Sequence, residues 1–258
     1  MHFTIRSVSM YIERPDRISG LVLPNAVSRQ SGRKLAEVLG VPVLTTFRNT
    51  ARALREGTVI NFGNPFFAGS LWSDPDSVNR CINKNFTFMT LHGRDVPCVE
   101  STAHFDDALE WQRSGASVVV RESSTAHDGI GMRIIKPDEE LPDAGLYTKY
   151  FKKRREYRVH CLGGMAVAWY YKAKKAGFEQ ASDQIRTTAN GWGFNTLRNP
   201  TPRLTQLAEQ AAEAIGANIC AVDILWNEYH DKYVVCEINS APELLPSTLE
   251  AYRNFFLG

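Results

Sequence analysis

An α+β architecture ending in an antiparallel sheet is predicted by three features of the sequence. A helix-length segment and an apolar strand share the first 75 residues. A β-branched run near the centre opens into a polar loop containing Gly129 and Gly131. From Tyr147 onward, long apolar strands are joined by short turns.

Along the chain, Arg29–Leu39 reads as a helix stopped by Gly40 and Pro42, and Thr58–Phe62 as a strand ended by Gly63, Asn64 and Pro65. A helix is expected around Asn79–His92, a short strand at Val96–Val99 and a second helix over Phe105–Ser114. Ser117–Glu122 is rich in β-branched residues, as a buried strand is, and leads into the polar segment Ser123–Gly131, after which a strand should follow. Glu156–Leu162 and Met165–Tyr171 form a hairpin across Gly163-Gly164, because both glycines can adopt positive φ. Thr201 and Pro202 open a helix as N-cap and first-turn proline. Leu204, Leu207, Ala208, Ala211, Ala212 and Ile215 fall on one face of it, and Gly216 ends it. Strands at Ile219–Trp226 and Tyr233–Ile238, joined by the polar turn Asn227–Lys232, complete the pattern.

Composition bounds the function. With 258 residues, 43% of them hydrophobic, the chain can bury a substantial core without disulfide or metal staples. A net charge of +2 gives no footprint of general nucleic-acid binding. The cysteines, Cys81, Cys98, Cys161, Cys220 and Cys236, are odd in number, lack a C-x-x-C pair and show no zinc-site spacing, which fits the reduced, mostly buried thiols of a cytoplasmic protein. Neither a signal peptide nor a membrane-spanning run is present. No linker separates independent domains, so the expected lobes are closely joined.

The chemistry is concentrated in the last hairpin, where Asp223, Glu237 and Asn239 interrupt otherwise apolar strands. A buried carboxylate costs several kcal/mol unless cations or donors satisfy it. Glu237 and Asn239 are two apart and share a face of their strand, and an antiparallel partner can bring Asp223 opposite them. Two carboxylates and an amide oxygen make a hard oxygen site of the kind Mg²⁺ takes when nucleotide phosphates and water complete its octahedron. The competing reading pairs the carboxylates with lysines or places them at a solvated sheet edge.

The ending D-I-L-W-N and V-V-C-E-I-N-S-A-P, preceded by E-Y-R-V-H-C-L-G-G and by V-V-V-R-E-S-S-T-A-H-D-G-I-G, resembles the ATP-grasp superfamily. The likeness is strongest to the branch containing glutamate ligases that modify a ribosomal protein, and to ATP-grasp proteins encoded by phages. It covers roughly Asn79 to Pro242. The implied layout is a small pre-ATP-grasp α/β lobe at 1–75, a lid lobe with the glycine loop at 76–146, and a C-terminal lobe with the Mg²⁺ site at 147–258. The implied activity joins a carboxylate to an amine (an amino acid, a peptide or a protein terminus) through an acyl phosphate made from ATP. A hydroxyl kinase on the same fold, or a nucleotide-binding protein without turnover, are the alternatives.

Carried over position by position, the resemblance implies Asp223, Glu237 and Asn239 as Mg²⁺ ligands. It implies Arg158, with Lys172 and Arg186, as cations meeting phosphate or the acyl phosphate. Nucleotide contacts fall to Lys84, Arg121, His127, Gly129, Gly131, the backbone of Lys149, Tyr150 and Phe151, and Asn190. Two positions depart from the pattern: Arg121 stands where a phosphate-binding lysine is usual, and Lys149 where an acidic residue usually holds adenine or ribose. A guanidinium can still bind phosphate through two hydrogen bonds.

Overall fold

A strand–helix–strand order favours parallel pairing, and the N-terminal part of the chain follows it. The computed structural model describes residues 13–23, 29–67, 71–125 and 131–258. Here β1 (Ile18–Val22), α1 (Arg29–Leu39), β2 (Val43–Leu44), α2 (Phe47–Glu56) and β3 (Thr58–Asn61) form a parallel sheet of order β2-β1-β3. β1 and α2 have weak sequence patterns. β1 contains Gly20, where a Cβ would lie 2.5 Å from Leu44 Cδ1, so the close packing that defines the strand requires the residue that hides it. α2 buries only Thr50 and Ala53; its signals are the cap on Thr46, whose Oγ1 accepts the Asn49 N–H, and the stop at Gly57.

The helix expected around Asn79–His92 is two helices, α3 (Pro75–Ile82) and α4 (Lys84–His92). Asn83 separates them in an extended conformation, and its side chain accepts from the Asn85 and Phe86 N–H groups, so a strong N-cap wins over helix continuation. Val96–Val99 is not a strand. It lies against Val235, exchanging the Val99 N–H to Val235 O and Val235 N–H to Pro97 O bonds. Next come β4 (Ser101–Thr102), α5 (Phe105–Arg113), β5 (Val118–Arg121), β6 (Met132–Ile135) and β7 (Leu146–Lys149), in an antiparallel sheet of order β4-β7-β5-β6. The expected order of strand, polar loop and strand is thus met by β5 and β6.

The third sheet contains β8 (Arg155–Leu162), β9 (Met165–Lys174), β10 (Trp192–Thr196), β11 (Ile219–Asn227) and β12 (Lys232–Asn239), with α6 (Pro202–Ile215) and α7 (Pro246–Leu257). It is antiparallel, of order β10-β9-β8-β11-β12. Gly163 and Gly164 turn the β8–β9 hairpin with φ of 56° and 84°. One face buries Tyr157, Val159, Cys161, Val222 and Ile224 against Leu204, Leu207, Ala208 and Ala211 of α6. On the other, Leu162 and Ile219 pack with Tyr252 and Phe256 of α7 and with Leu21 and Ile60 of the first sheet. The middle of that second face carries the charged residues. All five cysteines are free thiols, three of them buried, and no helix among the described residues is long and apolar enough to cross a membrane.

At the border between the apolar and charged halves, His160 is 1% exposed and its Nδ1 lies 3.1 Å from the Tyr252 hydroxyl. Burial, helped by the neighbouring Arg158 charge, pushes its pKa from 6.5 down to about 3. The folded form therefore refuses a proton that the unfolded chain accepts below pH 6.5, and stability is lost as pH falls from there toward 3. Between pH 7 and pH 5 this is expected to cost roughly 2 kcal/mol. Urea titrations at the two pH values should show a drop for the wild type that is smaller by about that amount in His160→Asn; equal drops would refute it.

Candidate active site

Side-chain alternation and register assemble the site. Across the third sheet Arg158 on β8 pairs with Asp223 on β11, and Asp223 pairs with Glu237 on β12, with Ala221 opposite Asn239. The pairing slips between Asp223 and Ile224, leaving Cys236 as an extra residue. This bulge matters because Val235 packs into the α6 core while Glu237, two residues on, lies among the charges of the opposite face. A regular strand would put both side chains on one side; the inserted residue reverses the parity and aims Glu237 at Asp223.

Arg158 donates from Nε and Nη2 to Asp223 Oδ1 and Oδ2, both at 2.7 Å, with side chains 14% and 3% exposed. Two of its five N–H groups are used this way, and among the described residues the other three have no hydrogen-bond partner. Burial alone would lower its pKa, but Asp223 and Glu237 raise it, so it stays a cation. Its guanidinium also lies over the Phe194 ring, 4.3 Å from the centroid. Glu237 Oε1 is 3.3 Å from Lys84 Nζ. Burial pushes the Glu237 carboxyl up, while Lys84, Arg158 and Arg121 together bring it below its ordinary value. Arg121 donates from Nη1 to Thr148 Oγ1 at 3.0 Å.

A second cluster adjoins the first. Glu156 is 5% exposed and ion-paired with Lys172 and with Lys153, the latter at 2.7 Å. Burial opposes its charge, yet the two lysines drive its pKa down to about 2. Lys172 Nζ also donates to Arg186 O at 2.7 Å, tying down the loop that carries Arg186. Arg186 donates to Asp183 O and Arg154 O and stacks on Trp192, 4.6 Å from the ring centroid. Lys84, Arg121, Lys153, Arg158, Lys172 and Arg186 set six cations against Glu156, Asp223 and Glu237, a sum of +3. Such a surface suits a polyanion.

The sequence-expected residues Lys84, Arg121, Arg158, Lys172, Asp223, Glu237 and Asn239 are thus brought to one region. Others are placed differently. The Lys149 side chain pairs with Glu100 at the surface, and the N–H groups of Lys149 and Tyr150 donate to Glu100 O and Ser117 O. Asn190 is exposed and closes its own loop by donating to Ile185 O. Gly131 has a φ of 69°, a conformation suited to glycine. His127 and Gly129 lie outside the described residues. Just before them, Ser124 O accepts the Lys84 N–H at 3.0 Å, so the start of the loop is joined to α4.

Glu156, Lys153, Trp192 and Phe194 belong to the site but are not singled out by sequence reasoning. For Glu156 a signal exists, since it precedes Arg158 by two and must share its face. β10 is a short outer strand with Gly191 before it and Gly193 and Asn195 within it, which mask the strand preference of Trp192, Phe194 and Thr196. Among the described residues no three His, Cys, Asp or Glu side chains gather as a metal-ligating group. Asp223, Glu237 and Asn239 bring two carboxylates and one amide, all hard oxygen, whose chemistry fits Mg²⁺ and not a thiophilic metal, although Arg158 and Lys84 already engage the two carboxylates.

Residues 150–252 match the model of the RimK-like ATP-grasp domain. The chain is 23% identical over 186 residues to beta-citrylglutamate synthase B of Mus musculus, covering 66% of this chain and 46% of that protein. It is 28% identical over 130 residues to a probable alpha-L-glutamate ligase of Hydrogenovibrio crunogenus, covering 50% and 39%. The chain therefore spans less than half the length of these curated relatives. Among solved structures, the D-alanine–D-alanine ligase of Bacillus anthracis complexed with ATP superposes with a TM-score of 0.63 over 92% of this chain and 94% of that one, at 15% identity.

Proposed function

From a chain with the ATP-grasp fold and a RimK-like ATP-grasp domain at residues 150–252, we propose an ATP-dependent ligase that joins a carboxylate to an amine through an acyl phosphate. The observation that carries the reading is the face shared by Arg158, Asp223 and Glu237, where cations and oxygen donors meet. Asp223, Glu237 and Asn239 would hold Mg²⁺, which would supply neutralisation of phosphate charge during transfer. Arg121, Arg158 and Lys172 supply fixed positive charge toward the phosphates, and the +3 surface binds the nucleotide polyanion.

An oxygen of the acid attacks the γ-phosphorus and ADP leaves. The amine nitrogen then attacks the acyl carbon, and phosphate leaves with the electron pair of the C–O bond as the nitrogen gives up its proton. Arg158, with three N–H groups that have no partner among the described residues, meets charge on the transferred phosphoryl oxygens in this reading. The chemistry requires no protein nucleophile. Two relatives carry glutamate in their names, which makes L-glutamate the first amine to try.

Nucleotide binding is tested by melting. At about 100 times its dissociation constant, Mg·ATP should stabilise the fold by roughly 2.7 kcal/mol, and the shift should shrink when Mg²⁺ is withheld. A folded protein whose melting temperature ignores millimolar Mg·ATP would refute the site.

A further inference from the structure

Asp223 grips the edge of the Arg158 guanidinium, and the guanidinium carbon also lies over the ring of Phe194 on the outer strand β10, 4.3 Å from the centroid. The same half-buried ring has Lys172 Nζ 5.4 Å from its centroid, and Lys172 is its direct cross-strand partner. One aromatic ring therefore meets two of the cations that line the site. On the reading of Arg158 given above, we infer that Phe194 is a positioning residue, its ring fixing the plane of Arg158 and the reach of Lys172 so that both point at the phosphoryl group.

The geometry explains why the ring is needed. The Asp223 pair constrains Nε and Nη2 within the guanidinium plane, yet leaves the plane free to tilt about the line joining the two carboxylate oxygens. A π-face beneath it removes that freedom and attracts the cation electrostatically. Lys172, already shared between Glu156 and the Arg186 carbonyl, has a flexible stem that the ring confines in the same way. Nothing in the ring touches the reacting atoms; its effect passes through the two cations.

Phe194→Leu keeps an apolar side chain and removes the π-face, whereas Phe194→Tyr keeps the face. Turnover of Phe194→Leu, read as ADP release, should fall roughly tenfold, the scale of a desolvated cation–π contact. Calorimetric affinity for a non-hydrolysable Mg·ATP analogue and the melting temperature should stay near wild type, and Phe194→Tyr should restore most of the turnover. Introduced on top of Arg158→Lys, Phe194→Leu should cost less than it does alone, the remaining loss passing through Lys172. Wild-type turnover in Phe194→Leu, a Tyr variant as slow as the Leu variant, or loss of cooperative melting in Phe194→Leu would each overturn the inference, the last by assigning the ring to packing. Arg158→Lys run alongside separates the two levels: normal turnover there removes the reading of Arg158 itself, while a crippled Arg158→Lys beside a normal Phe194→Leu removes only the role of Phe194.

Discussion

Glu237→Gln should lower Mg²⁺-dependent ATP turnover by on the order of 100-fold or more, the scale of removing one electrostatic contact to a transition state. The substitution keeps shape and hydrogen-bonding capacity while removing the charge that binds the metal. Its side chain is 31% exposed, so the protein should stay folded, with some stability lost because the substitution also weakens the pair with Lys84, which is 8% exposed. Asp223→Asn should be equally inactive but less stable. It strips the partner from an Arg158 that is itself only 14% exposed, and breaking a buried pair typically costs about 3–5 kcal/mol. Denaturant titration beside an ADP-release assay separates the two effects. Near-wild-type turnover in both variants would refute the metal assignment.

Arg158→Lys should retain ATP affinity within a few-fold while losing turnover by about 100-fold. Lysine preserves one positive charge, but cannot donate from two positions to Asp223, spread over the Phe194 ring and still offer three N–H groups to phosphate. Binding and chemistry would then separate. The rival account makes the Arg158–Asp223 pair purely structural; it predicts reduced stability with turnover per folded molecule unchanged. Calorimetry of Mg·ATP binding run beside ADP release distinguishes them.

Much of this site is legible in the sequence because buried strands tolerate few polar residues. Each exception on β11 and β12 therefore stands out: Asp223, Glu237 and Asn239 are visible as interruptions, and period-two alternation groups Glu237 with Asn239, whereas Arg158 on the more polar β8 is marked by the family resemblance. α6 is legible end to end, from the Thr201 cap to the left-handed Gly216, because its apolar spacing and both terminal signals agree. The Cys236 bulge is not legible: one extra residue in a β-branched run leaves no compositional trace, although it decides which way Glu237 points. The break at Asn83 is legible only in part: Asn83-Lys84 reads as a helix start, because asparagine favours an N-cap over a helix interior, but nothing signals that another helix ends just before it. β10 hides for a further reason. As an outer strand it has one neighbour, and its aromatic residues matter through the cations stacked on them, a relation between distant positions.

The claim that ATP activates an acid for attack by an amine is tested most directly by following carboxylate oxygen. The enzyme, Mg·ATP, L-glutamate and a panel of acids labelled with ¹⁸O in the carboxyl group are incubated together, and ADP, phosphate and amide product are measured by mass. An acyl phosphate places one labelled oxygen between carbon and phosphorus, and departure of phosphate carries it away. The account predicts an acid for which amide and ADP form in equal amounts, with one ¹⁸O in each released phosphate and no amide when either acid or amine is omitted. Phosphate transferred intact to a hydroxyl acceptor, with ADP formed and no amide, would contradict it.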